Sequence, residues 1–353
     1  MKLYPNVVII FIFWVISVVA VSYFAFVSLP HSGLFTANFL QSFANWDGAH
    51  YISIAKSGYQ EQFQYAFFPL YPILIKFFGE ITGDFLLSAI LINLISSFLA
   101  ANTFYQLVRI EFNKQYAQKA LLSLLFFPMS FYFLTAYTEG LFLLLAVSTF
   151  LFVRKGNLFL ATVTAALASA TRPAGVAVVL SLLVYVYLTL GKIGKNWYVL
   201  LSPLGILFYS LYLFFQTGDP LYFIQAQLHW HTGFAIPGSA ILHTLKQLLV
   251  PGFLANNFRD FLDFVMVVFA VSMIFKVWKR LSLDYAIFSI FSLIMPLFSQ
   301  TLAATSRYLL TIFPIFIVLA LIKNWYIIFF YQFFSVMLLV VFAILFLNGY
   351  WSS

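Results

Sequence analysis

The chain has 353 residues, 63% of them hydrophobic and 8% charged, with a formal net charge of +8. A soluble fold of this length cannot hide that much apolar surface, so the composition implies a lipid solvent, and 46 Phe and 21 Tyr supply rings for lipid contact and interfacial belts. The absence of cysteine excludes disulfides, thiolate catalysis and zinc–thiolate centres.

In chain order, the first apolar stretch covers residues 6–29. It is too long for a signal-peptide core and has no small-residue cleavage site, so it reads as a retained anchor helix. A long polar loop, 30–84, follows. Within it Asn45 is a candidate N-cap for a surface helix running towards Gly58, which places Asp47, His50, Tyr51 and Ile54 on one face. Residues 66–79 are apolar but short and broken by proline, which predicts an interfacial or re-entrant piece. Further spans are expected near 85–108, 119–134, 138–153, 157–171, 174–190 and 197–215. A second long loop, 216–260, precedes the last spans near 261–278, 284–300, 306–322 and 325–347. The fold expected is therefore all-α and polytopic, with about eleven transmembrane helices in one membrane domain, 1–353.

Charge fixes the expected orientation. With the N-terminus cytoplasmic, 12 of the 18 Lys and Arg residues fall on inner loops, whereas all the acids except Glu111 and Asp284, and all five histidines, fall outside. The +8 balance thus reflects topology rather than a nucleic-acid partner. Polar chemistry is concentrated on the outer face, which carries the two long loops.

Four places there could carry chemistry. Asp47 lies among Trp46, His50 and Tyr51; it reads either as a first-turn acid that favours a helix dipole or as a general base. A third reading joins Asp47 and His50 to His229 and His231 around a divalent metal. Glu139 opens the fourth span, either as a plain first-turn acid or as an acceptor-binding carboxylate. Arg172, followed by the helix breakers Pro173 and Gly175, and Arg307, at the start of the tenth span, sit at outer ends where basic residues are scarce. Each either snorkels to lipid phosphates or binds an anion. No P-loop, Asp-x-Asp pair or Gly-x-Ser-x-Gly elbow occurs, so a nucleotide-sugar diphosphate lacks its usual metal ligands.

Trp46-Asp47-x-x-His50-Tyr51-x-x-Ile54-Ala55-x-x-Gly58-Tyr59 and Phe67-Phe68-Pro69-Leu70-Tyr71-Pro72 are followed by Tyr137-x-Glu139-x-Leu141-Phe142 and Thr171-Arg172-x-x-Gly175. Gly218-Asp219-Pro220-Leu221 and Arg307-Tyr308-Leu309-x-x-x-Phe313-Pro314 complete the series. In that order, across nearly the whole chain, these segments resemble the GPI mannosyltransferase II family of GT-C fold membrane glycosyltransferases, in a shorter, prokaryotic-type form. Pro173 stands where that pattern has a small polar residue.

The resemblance implies a multi-span enzyme that takes mannose from a polyprenyl-phosphate or dolichyl-phosphate carrier on the outer side and gives it to a lipid or glycan hydroxyl, with Asp47 as its catalytic residue. Arg172 and Arg307 are expected to bind the donor phosphate. His50, Tyr51, Glu139 and Trp46 are expected to support the site or hold the acceptor, with no obligatory cofactor, and the carrier's tail is expected in a groove near 67–72. The reaction expected is an inverting single displacement in a prokaryotic plasma membrane. A transporter or flippase of lipid-linked sugars is the alternative.

Overall fold

The structure, a computed structural model, describes residues 2–31, 38–190, 194–230, 235–236, 238–248 and 258–350; His231 and Lys192 lie outside them. Among these residues the chain is helical, with no strand. The helices are α1 (Pro5–Ser28), α2 (Phe39–Ser42), α3 (Asp47–Ser57), α4 (Leu70–Thr82), α5 (Phe85–Glu111) and α6 (Lys114–Leu125). Then come α7 (Glu139–Arg154), α8 (Leu158–Ser169), α9 (Gly175–Leu190), α10 (Leu204–Thr217), α11 (Tyr222–Ala226) and α12 (Ser239–Gln247). The last are α13 (Phe258–Arg280), α14 (Leu283–Leu297), α15 (Thr305–Leu309), α16 (Pro314–Ala320) and α17 (Trp325–Leu347).

Local sequence explains most boundaries. Pro5 pre-sets the first turn of α1, and Asp84, Asn113, Asn157 and Asn324 each accept a backbone N–H at a helix start. Gly83 and Gly218 end α4 and α10 in the left-handed conformation.

Helix covers most of each of the eleven predicted spans. By length and composition α1, α5, α13 and α17 are long and apolar enough to cross a membrane, and α8, α9, α10 and α14 are shorter apolar helices. The 119–134 and 306–322 spans are each broken in two: α6 gives way to a 3₁₀ turn at Ser130–Leu134, and α15 is separated from α16. These pieces are interior, with residues 312–320 all buried, so neighbouring helices rather than lipid surround them. On α1 and α17 large apolar side chains such as Phe13, Phe24, Phe329 and Phe333 point outward. A belt of that kind is stable only against hydrocarbon, and the chain is an integral membrane protein.

The centre is the pair α5 and α7. Small buried residues line α5 (Ser88, Ala89, Ser96, Ser97, Ala100, Ala101), which lets backbones approach closely. Gly140 marks the tightest point: a Cβ there would lie 2.0 Å from Ser97 Oγ and 2.6 Å from the Asn93 carbonyl. Asn93 locks the contact, accepting from Gly140 N–H at 2.8 Å and donating to the Tyr132 and Thr135 carbonyls at 2.7 and 2.8 Å. Gly140→Ala should therefore cost about 1–3 kcal/mol by overpacking. It should also displace Glu139, the residue before it; thermal unfolding compared with wild type checks the cost.

The two ends of α7, about 24 Å apart for 16 residues, carry separate charge clusters. At its C-terminal end Arg154 binds Glu111 of α5 at 2.5 Å and Asp284 of α14 at 2.6 Å, and Tyr285 donates to Glu111 at 2.7 Å. Glu111 and Asp284, the two acids expected on the inner face, are thus joined by Arg154, expected there too, in a clamp on three helices. At the N-terminal end stands Glu139.

Candidate functional site

Asp47 begins α3, but Asn45 is not its cap. The cap residue is Trp46, at φ 58° and ψ −121°, and the Gly48 N–H reaches the Asn45 carbonyl at 3.3 Å. These angles make Asn45–Gly48 a type II′ turn, a shape that calls for glycine where Trp46 stands. A residue held so costs on the order of 1–3 kcal/mol and persists only where its surroundings insist. Here they do. Asn45 is buried and its amide donates to the Phe346 carbonyl at 2.9 Å, while the Tyr137 hydroxyl donates to the Asn45 carbonyl at 3.0 Å. Asn45 therefore anchors the turn rather than capping the helix.

Asp47 so placed meets Arg307: Nη1 donates to Oδ2 at 2.8 Å. Arg307 Nε lies 3.6 Å from Glu139 Oε1, and Arg172 Nη1 donates to the same oxygen at 3.4 Å. The result is a row, Asp47–Arg307–Glu139–Arg172, drawn from α3, α15, α7 and the turn after α8. The other described non-glycine residue with positive φ is Ala304 (64°), directly ahead of α15, so both partners of the 2.8 Å pair are delivered by strained backbone. Exposure separates the two carboxylates. The Asp47 side chain is 17% exposed and Glu139 is 1% exposed, with Oε2 lacking a hydrogen-bond partner among the described residues. Asp47 is the accessible carboxylate of the two.

Aromatic faces complete the row. The Tyr308 ring lies 5.0 Å from the Arg172 guanidinium and 5.3 Å from that of Arg307, and Tyr132 and Tyr137 lie 5.5 and 5.3 Å from Arg307. Such rings stabilise cations away from water. Arg307 and Tyr308 are adjacent in the sequence, yet nothing there shows the ring bridging two arginines. Tyr51 is buried beside Asp47, and burial, followed by the Asp47 charge, pushes its phenol up, so it stays a neutral donor.

His50 packs against Phe63 (5.1 Å between rings) and Phe67 (5.5 Å). His229 stacks on Phe63, 4.4 Å between ring centroids, and its charge reaches His50. Among the described residues no group of three or more His, Cys, Asp and Glu side chains converges on one point. Burial pulls the His50 imidazole below its ordinary 6.5; Asp47 opposes this and His229 adds to it. The unfolded chain then binds more protons than the native one just below pH 6.5, so stability present above that value is lost as the pH falls through it. Thermal unfolding in detergent should show this loss in the wild type and a flatter profile in His50→Gln.

Phe67, Phe68 and Tyr71 do not line an open groove. They are buried, with Phe67 on Tyr51, Phe68 on Tyr209 and Phe223, and Tyr71 donating to the Ala89 carbonyl at 2.8 Å. Residues 70–82 form a helix packed on α5, and the segment props α3 from behind.

A family model described as Mannosyltransferase (PIG-V) matches residues 28–240, which contain Asp47, Glu139 and Arg172. The chain belongs to this mannosyltransferase family. Individual relatives agree. The GPI alpha-1,6-mannosyltransferase 2 of Cricetulus griseus is 29% identical over 229 residues, covering 60% of this chain and 44% of that protein. The GPI mannosyltransferase 2 of Drosophila pseudoobscura pseudoobscura is 30% identical over 114 residues, 29% of this chain and 25% of that one. The chain thus spans less than half the length of these curated relatives. In this PIG-V family member Arg307, which closes the row, lies beyond the matched residues and comes to Asp47 only through the fold.

Proposed function

We propose that the chain is an integral-membrane hexosyltransferase that moves a sugar, mannose by family, from a polyprenyl-phosphate or dolichyl-phosphate carrier to a hydroxyl of a lipid or glycan acceptor. The observation that carries this reading is the 2.8 Å pair between Asp47 and Arg307, with Glu139 and Arg172 behind it.

The chemistry follows from the charges. A sugar joined to a lipid phosphate carries one negative charge. As the acceptor oxygen attacks the anomeric carbon from the face opposite the phosphate, its proton passes to Asp47. The C–O bond to the phosphate breaks, and the phosphate leaves with a second negative charge, needing no proton of its own because that second pKa is near 6. Asp47 is neutralised in the same step. Negative charge has moved from carboxylate to phosphate, and Arg307 stands ready to follow it. Arg307 is thus shared: it holds Asp47 at rest and turns to the phosphate as the sugar departs. Arg172, tied to Glu139, adds positive field without leaving its place. A single displacement inverts the sugar.

No metal is needed, since guanidiniums already supply the positive charge beside both carboxylates. Orientation follows the distribution of basic residues, with the N-terminus cytoplasmic and Asp47 extracytoplasmic; a prokaryotic plasma membrane goes with the short form of the family.

The test is to reconstitute the purified chain in vesicles with radiolabelled polyprenyl-phosphate mannose or with a nucleotide-linked mannose, each in EDTA. Label should pass to a lipid or glycan product from the polyprenyl donor alone. Transfer from the nucleotide donor only, or loss of transfer in EDTA that a divalent cation restores, would overturn the carrier and metal-free parts of the reading respectively.

A further inference from the structure

We propose that Asp263 is a positioning residue for Arg307, acting on it from the far side of α15; the proposal rests on reading Arg307 as the donor-phosphate group. With five residues, α15 is too short to hold itself by its own hydrogen bonds, and it is entered through the left-handed Ala304. On one side Asp47 and Glu139 pull on the Arg307 guanidinium. On the other, α13 presents Asp263, 3% exposed, which lines one small buried cavity together with Ser306, the residue next to Arg307. Arg259, one turn earlier on α13, lies beside Asp263, and its field reaches Tyr132, whose ring lies 5.5 Å from the Arg307 guanidinium. One helix therefore lies against the turn that carries Arg307.

The cost of this arrangement points to a use. Met129, Leu262, Met266 and Phe342 close around Asp263, and Oδ2 has no hydrogen-bond partner among the described residues. A carboxylate in such a place is rarely the most stable choice, and an apolar side chain of similar volume often serves stability as well or better. The space left is about 10 Å³, room for a water at most, so Asp263 faces no ligand of its own. What it holds is α15.

The experiment compares the purified full chain with Asp263→Leu, Asp263→Asn, Arg307→Ala and the Asp263→Leu/Arg307→Ala double variant, reading thermal unfolding and the KM for polyprenyl-phosphate mannose. Asp263→Leu should unfold no earlier than wild type yet raise the donor KM on the order of tenfold, the scale of losing one buried charged polar contact. Asp263→Asn, which keeps the size of the side chain and a polar acceptor beside Ser306, should recover most of that loss. The double variant should be no worse than Arg307→Ala alone, since a residue acting through Arg307 adds nothing once Arg307 is gone. An unchanged donor KM in Asp263→Leu, or independent multiplication of the two effects, overturns the proposal while leaving the role of Arg307 intact. An unchanged donor KM in Arg307→Ala itself removes the phosphate reading and the inference with it.

Discussion

Sugar transfer by Asp47→Asn should fall by at least ~10², the usual contribution of a positioned general base. The substitution is nearly isosteric. The amide oxygen can still accept from Arg307 Nη1, which now lies 2.8 Å from Oδ2, so the II′ turn, the α3 helix and the arginine stay in place. What is lost is the group that takes the acceptor proton. Glu139 cannot substitute, because it is 1% exposed and its Oε1 is engaged by two guanidiniums. Single-turnover transfer of labelled mannose, compared at equal folded concentration, reads the loss directly. Near-normal turnover would remove Asp47 from the chemistry.

Arg307→Ala should be the more damaging change to the molecule as a whole. It leaves Asp47 without its 2.8 Å partner and leaves buried Glu139 with Arg172 alone, 3.4 Å away. Breaking a buried pair by deleting one member typically costs about 3–5 kcal/mol, because the surviving charge stays desolvated. Donor affinity should fall as well, on the order of 10–10²-fold for a lost charge-assisted contact, in a way that added acceptor does not rescue. Arg307→Lys separates the two losses. It restores a positive charge, and with it part of the stability, but not the fork that can face carboxylate and phosphate together. Thermal unfolding and donor KM on the three proteins should therefore rank differently: stability in the order wild type, Lys, Ala, with donor use poor in both variants. A Lys variant equal to wild type in donor use would show that point charge alone matters.

Much of this was legible because membrane proteins write their solvent into composition. Eleven apolar stretches marked where helices run, and the acids and histidines gathered on one face pointed to the end where Asp47, Glu139, Arg172 and Arg307 now meet. Each of the four could be named singly. Their joining could not, since Asp47 and Arg307 are 260 positions apart and nothing local records the pair.

Local rules also misled at two places. Asn45 has the chemistry of a cap, but its amide is used 301 positions away on the Phe346 carbonyl, and the cap falls to Trp46 in a conformation no propensity favours. The Phe67–Pro72 run is apolar and broken by proline, which suits a groove; the fold instead buries its rings under Tyr51 and Tyr209. Asp263 is one of many outer-face acids in the sequence, and only its place beside Ser306 in the fold gives its burial a meaning. In each case a tertiary contact outranked the local preference, most often at the site itself, where strain and buried charge are retained for what they do.

The shared arginine is tested most directly by the binding of unlabelled polyprenyl phosphate to wild type and to Asp47→Asn, measured by displacement of a fluorescent analogue. Because the carboxylate and the phosphate compete for Arg307, the asparagine variant should bind at least as tightly as the wild type while transferring almost nothing. Weaker binding by Asp47→Asn, with the fold intact, would contradict it: Asp47 would then help to hold the donor, and the pair would not open towards a phosphate.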